Sequence, residues 1–366
     1  MGFFKLLSSP QYERLPTNAL HPKSRFTLNK SLLMYGMYGV LGISTYTAIV
    51  LWCSHFFTKK PYSYLDNFEH INNIPLVRDE RHWSSSSSAV FSSLYSDSFA
   101  LAVAVLGHSI RRANVSASMI LPYIETQVSS KALCIAQSVG WKTHPVGLIA
   151  PPRDGEDMAT PRFRDQYTKL NIWKLGEELG FNSAVYMDAD TLVLRNFDEL
   201  FHFPWEFGAG LDVFPTKDAR GFSINFNAGV LVFRPSQSTF EDMKSKLETS
   251  NFPLAHAEQS FLNAYFGGKS VRLPFAYNAN MVIKQRSREL WAELTEEMRI
   301  LHYTLVKPFW HNKMPEEMIL TPEELQALAE TTETRDGGLY REEIRLWSNA
   351  FDRMMEDQGD AINACY

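Results

Sequence analysis

The residues whose types and spacing most plainly suggest chemistry are Asp188 and Asp190, in the run VYMDADTLVL at residues 185–194. A hydrophobic stretch reading as a strand delivers both carboxylates at its C-terminal end, where ligands sit in open α/β sheets. Two acidic side chains two residues apart can converge on one divalent cation, a hard ion that prefers oxygen ligands. A nucleotide diphosphate would supply further oxygens, and the cation would stabilise charge building on a departing diphosphate. Taken alone, the pair is read equally well as two solvated aspartates in a turn.

Such a pair needs a sheet to hold it, and the surrounding sequence supplies the pattern for one. Apolar runs at Ala89–Leu94, Ala117–Tyr123 and Trp141–Leu148 alternate with helical patterns at Ser98–Arg111 and Ser130–Gly140. A helix over Tyr167–Leu179 leads into the strand Ser183–Met187, and further strands are expected at Phe207–Leu211 and Ala228–Phe233. This alternation predicts an α/β domain with a mainly parallel sheet flanked by helices. Near the end, Thr321, Pro322 and Glu324 spell a helix start with a capping box. The spacing of Tyr340, Ile344, Trp347, Phe351 and Met354 predicts an amphipathic packing helix over Tyr340–Met355.

The chain has 366 residues, 21% of them charged, and a formal net charge of -5. With no Lys/Arg run to gather phosphate backbones, nucleic acid is excluded as a natural partner. Three cysteines, Cys53, Cys134 and Cys365, show no C-x-x-C spacing, so at most one disulfide can form and no zinc cluster is encoded. Residues 31–52 run SLLMYGMYGVLGISTYTAIVLW without a charge, long enough at ~1.5 Å per residue to cross the ~30 Å hydrocarbon core. The segment lies too far from the N-terminus for a signal peptide and has no small-x-small cleavage site. It predicts a retained transmembrane helix, preceded by a cytosolic tail at 1–30 and followed by a polar stem at 53–88. The alternative for this run is a buried core helix, disfavoured by Gly36, Gly39 and Gly42.

Further segments give the aspartate pair its context: AVLGHSIRR at 104–112, FNAGVLVFRPS at 226–236, AEQSFLNAYF at 257–266, LPFAYN at 273–278 and ILHYTLVKPFW at 300–310. In that order and at these spacings they resemble glycosyltransferase family 8, the glycogenin-like group, over about residues 89–312. The resemblance implies a GT-A fold over 89–315 with C-terminal helices at 316–366, a UDP-sugar donor, a manganese ion and retention of anomeric configuration. It places Asp188, Asp190 and His302 on the metal, a mixed N/O set that suits manganese. Lys307 would grip the diphosphate and Lys169 would contact donor phosphate or sugar. Asp212, Asn227, Ala228, Glu258 and Gln259 would surround the donor sugar, and Leu94, Tyr95 and Phe99 would cradle uracil and ribose. Without the resemblance, His302 reads as a core histidine, Lys169 and Lys307 as surface charge, and Leu94 and Phe99 as core packing.

Three positions depart from the glycogenin pattern. HYTLVKPFW lacks a glycine between histidine and lysine and is one residue shorter. Glu258 stands where aspartate is usual, and Ala255 or His256 where another acidic residue would meet sugar hydroxyls. Among the other enzyme classes that end a strand in D-x-D, a haloacid-dehalogenase-like phosphotransferase needs Thr or Val where Leu192 stands. A non-catalytic, membrane-anchored sugar-nucleotide or glycan binder is the remaining alternative, since a self-glucosylating glycogen primer would not be held at a membrane. The anchor, the stem and the sequon Asn114-Val115-Ser116 together point to a single-pass type II protein of the Golgi or endoplasmic reticulum. Its expected partners are a UDP-sugar and a glycan or glycoprotein acceptor, with glucose or N-acetylglucosamine favoured as the sugar; a homodimer is compatible with this reading.

Overall fold

The structure, a computed structural model, describes residues 30–57, 87–152 and 161–366. The cytosolic tail and most of the expected stem therefore lie outside the described residues. The chain divides into two compact units, with the break after Pro61. The first carries a helix over Lys30–Phe57, somewhat longer than the uncharged run. Within it, Met34–Cys53 is long and apolar enough to cross a membrane. Tyr35, Ile43 and Tyr46 are each more than 70% exposed, so this helix is not the buried core helix that the sequence left open.

Among the described residues, the second unit has ten strands: β1 Ser88–Phe91, β2 Ser118–Tyr123, β3 Lys142–Pro145, β4 Ser183–Met187, β5 Thr191–Val193, β6 Phe207–Val213, β7 Phe222–Phe233, β8 Val271–Leu273, β9 Ala279–Asn280 and β10 Ile300–His302. Seven of them form one sheet in the order β3-β2-β1-β4-β7-β6-β8. Strands β3, β2, β1 and β4 run parallel, β7 returns antiparallel to both β4 and β6, and β8 is parallel to β6. The mainly parallel sheet expected from the sequence is thus present, with a hairpin-like reversal on one side. A second, small sheet in the order β5-β10-β9 was not foreseen. Its strands are only two or three residues long, too short to show a period.

Strands β1 and β4 are buried on both faces, which is why they read as continuous hydrophobic runs. Period-two alternation splits their side chains between two core layers. Val90, Val185 and Met187 pack on the side of the helix Ala100–Arg112, together with Trp347 and Phe351. Ala89, Phe91, Ala184 and Tyr186 face the opposite layer, where Trp173 sits with Phe233 and Phe266 at ring-centroid distances of 4.6 and 5.7 Å.

The capping box at Thr321 forms as the sequence dictates, with Glu324 reaching back to the Thr321 backbone at 2.8 Å. The final helix, Arg341–Asn363, runs eight residues beyond the expected end. It buries Ile344, Trp347, Phe351 and Met354 in the first core layer. One disulfide, Cys134–Cys365, joins the helix Ser130–Ser138 to the segment after this last helix.

Candidate active site

Strand β4 ends at Met187, so Asp188 is the first residue past the sheet, its amide donating to Gly229 O at 2.8 Å. The Thr191 amide and hydroxyl both donate to Asp188 O, closing a tight turn that brings Asp190 round beside its neighbour. The small sheet then sets β10 antiparallel to β5, so that His302 pairs with Thr191 and the Tyr303 amide donates to Asp190 O at 2.9 Å. These two local constraints bring together residues more than a hundred positions apart. One potential ligand atom from each of Asp188, Asp190 and His302 lies within 4.8 Å of the others. His302 Nε2 is 3.2 Å from Asp190 Oδ1 and 4.0 Å from Asp188 Oδ2.

The histidine is oriented by a chain of amides. Its Nδ1 lies 2.9 Å from Asn278 Oδ1, an acceptor, so Nδ1 carries the proton and Nε2 is the nitrogen turned to the carboxylates. Asn278 Nδ2 donates to Asn227 Oδ1 at 3.0 Å, Asn227 Nδ2 to Asp212 Oδ1 at 3.1 Å, and Gln259 Nε2 to Asp212 Oδ2 at 3.0 Å. Gln259 Oε1 accepts from the Ala228 amide at 2.9 Å, which closes the chain on β7. Gly229 makes room for the ring: a Cβ there would lie 2.1 Å from His302 Cε1.

Charges are placed to match. Burial alone would raise the Asp190 carboxyl, but Lys307 and His302 outweigh it and hold Asp190 well below the usual carboxylate range. Lys307 Nζ forms an ion pair with Asp190 Oδ2 and donates to Tyr303 O at 2.9 Å. Burial pushes the Asp212 carboxyl up, against the hydrogen bonds it accepts from Asn227, Val213 and Gln259. Asp188 and Asp190 keep side-chain exposures of 28% and 12%, so the pair is reachable from solvent.

The remaining expected residues fall on two sides of this centre. Lys169 is 1% exposed and lies under the aspartates, bonded to Glu258 at 2.7 Å. Leu94 is fully buried and bridges to Tyr123 just beyond β1, with Tyr95 beside it. Phe99 packs edge-on against Phe309, two residues after Lys307, at 5.5 Å. The sequence reading passed over Tyr186, whose hydroxyl donates to Asp188 Oδ1 at 2.8 Å, and over the role of Asn278. For Tyr186 a signal was available, since residues i and i+2 of a strand share a face. For Asn278 none was, because its partner is 24 residues away across a sheet whose strands leave no pattern.

An α/β unit with a partly open Asp-Asp-His cluster that could hold a metal ion, at the end of its parallel strands, is an arrangement that fits a glycosyltransferase with a GT-A fold. The family model for glycosyl transferase family 8 matches residues 90–314, and the chain belongs to that family. Inositol phosphorylceramide glucuronosyltransferase 1 of Arabidopsis thaliana is 30% identical, over 62% of this chain and 43% of that protein. Glycogenin of Neurospora crassa is 25% identical, over 71% of this chain and 34% of its own length. The chain thus spans less than half the length of these curated relatives. Among solved structures, the apo bifunctional glycosyltransferase WbbM aligns with a TM-score of 0.47 and 16% identity, covering 73% of this chain and 53% of that one.

Proposed function

We propose that the protein is a manganese-dependent, retaining glycosyltransferase that moves a hexose from a UDP-sugar to a glycan or glycoprotein hydroxyl. UDP-glucose and UDP-N-acetylglucosamine are the favoured donors. The observation that carries the reading is the convergence of two carboxylates and one oriented imidazole on a common point. Two hard oxygens and a borderline nitrogen fit manganese better than a purely oxygen-seeking ion. Held by Asp188, Asp190 and His302, the ion would supply Lewis-acid stabilisation of the diphosphate leaving group.

The protein's own groups do the rest. Lys307, beside Asp190, adds a positive charge where leaving-group charge builds. Asp212, Asn227 and Gln259 form one hydrogen-bonded set that can orient sugar hydroxyls. Tyr95 and Phe99, partly exposed past the end of β1, offer ring surface to uridine, whereas Leu94 is fully buried and belongs to the core instead of a uridine cradle. Gln259 is an amide and a poor covalent nucleophile, and Asp212 is tied by hydrogen bonds from Val213, Asn227 and Gln259. Attack by the acceptor hydroxyl on the leaving-group face, with retention, is the reading this favours.

The helix over Met34–Cys53 serves as a single-pass anchor with the second unit in the lumen of the Golgi or endoplasmic reticulum. The disulfide fits an oxidising compartment.

The test is donor hydrolysis by the detergent-solubilised chain across UDP-glucose, UDP-N-acetylglucosamine, UDP-galactose and UDP-glucuronate, with and without manganese. One donor should turn over only with manganese, and Asp190→Ala should lose at least about a thousandfold in kcat/KM, in line with loss of metal-borne charge stabilisation. UDP binding with no hydrolysis and no transfer to any glycan acceptor would instead mark a binding protein.

A further inference from the structure

Lys169 carries an ammonium with three N–H donors, and the protein surrounds it with three oxygens. Asp188 Oδ1 lies at 3.1 Å, Glu258 Oε1 at 2.7 Å and Ala228 O at 3.2 Å. The side chain is 1% exposed, and the Tyr186 ring lies beneath the ammonium with its centroid at 4.6 Å. Two hydrogen bonds, to Glu258 Oε1 and Ala228 O, and the ion pair with Asp188 hold the ammonium inside the protein and away from a ligand phosphate or sugar hydroxyl.

The same contacts fix which oxygen of Asp188 is available. Oδ1 receives both Lys169 and the Tyr186 hydroxyl, the latter at 2.8 Å and itself within 2.9 Å of Ser93 Oγ. Oδ2 is the oxygen on the His302 side, 4.0 Å from Nε2. A carboxylate held at one oxygen by a hydrogen bond and an ion pair cannot turn about its Cβ–Cγ bond without losing both.

We propose that Lys169 is a positioning residue rather than a donor contact: with Tyr186 it clamps Asp188 Oδ1, so that Asp188 presents Oδ2 alone to the metal. Glu258 balances the lysine charge in a pocket that water does not reach. The inference rests on the metal-dependent reading above, and it makes the metal site preformed, independent of any bound nucleotide.

The test is manganese binding to the full-length chain in detergent with no nucleotide present, read from loss of the free-ion EPR signal. Lys169→Met should weaken manganese binding by roughly 10- to 100-fold, as loss of groups that orient metal ligands does. Tyr186→Phe, which removes one hydrogen bond and little volume, should weaken it by about three- to tenfold. The charge-balanced double variant Lys169→Met/Glu258→Gln guards against misfolding of the single variant and should bind manganese as poorly as Lys169→Met. At saturating manganese, the donor KM of Lys169→Met should return to the wild-type value. Wild-type manganese affinity in both Lys169 variants, with a raised donor KM that manganese does not repair, would overturn the inference and make Lys169 a donor contact. Absence of manganese binding in the wild type without nucleotide would overturn the preformed site, and absence with UDP present as well would overturn the metal-dependent reading itself, a result distinct from the first.

Discussion

At the scale of single residues, the centre depends on one hydrogen atom as much as on any charged group. Gly229 sits where its missing side chain admits the His302 ring, and the nearest ring atom would be 2.1 Å from an added Cβ. Real Cβ contacts do not reach that distance, so Gly229→Ala must push the imidazole away from the carboxylates or part β7 from β10. Manganese affinity measured calorimetrically should fall at least about tenfold, the effect of disturbing ligand orientation. Far-ultraviolet dichroism should stay unchanged; affinity equal to wild type would show that the ring has another way to reach its place. Asp188 and Asp190 were legible in the sequence because a strand buried on both faces marks its own end and so marks the residues just past it. The histidine was legible only through resemblance, since β10 is three residues long. Asn278 and the glycine act through contacts between distant parts of the chain, and a linear pattern does not encode distance; Tyr186, two residues from Asp188, did carry a signal.

At the scale of elements, the last helix is a buttress for the segment that carries Lys307. Phe309 lies between Phe99 and Trp347, with ring centroids 5.5 Å from each. Tyr303, next to His302, donates its hydroxyl to Glu343 O at 2.7 Å. The amphipathic spacing around Trp347 announced that this helix packs; which surface it packs on was not readable, because periodicity gives a face and not its partner. Asp357 Oδ2 ties the far end of this helix to the helix Ala100–Arg112, lying 2.8 Å from His108 Nε2 and 3.6 Å from an Arg112 guanidinium nitrogen. The His108 hydrogen bond holds the Asp357 carboxyl below its ordinary value of 3.8. A folded-state value lower than the unfolded one means stability that is present above about pH 3.8 and is lost as the pH falls through the folded value. Asp357→Asn should therefore lower the melting temperature at pH 6, and the difference from wild type should vanish as the pH drops below the folded value. A gap that persists in acid would assign the effect to packing instead of charge.

At the scale of the whole molecule, the sequon and the disulfide bear on the same question, the side of the membrane on which the second unit folds. Asn114 is exposed, in a left-handed turn with φ 52° just after the helix Ala100–Arg112. The proposed luminal placement makes this asparagine an acceptor for an N-linked glycan. Full-length protein from a eukaryotic host should shift to higher mobility on gels after endoglycosidase treatment, and Asn114→Gln should abolish that shift. A chain that never shifts in a glycosylating host would argue for a cytosolic second unit. The pairing of Cys134 with Cys365 could not be chosen from three cysteines, because spacing along the chain says nothing of which two meet.

That pairing also sets an order of events during biosynthesis. The two cysteines are 231 residues apart, and at about 5–20 residues per second a ribosome needs roughly 10 to 50 s to pass from one to the other. For that interval Cys134 is an unmatched thiol on a growing chain. The staple therefore closes only around a domain whose sheet and aspartate turn have already been made. Any nascent chain cut short in between leaves the ribosome with a thiol open to foreign partners.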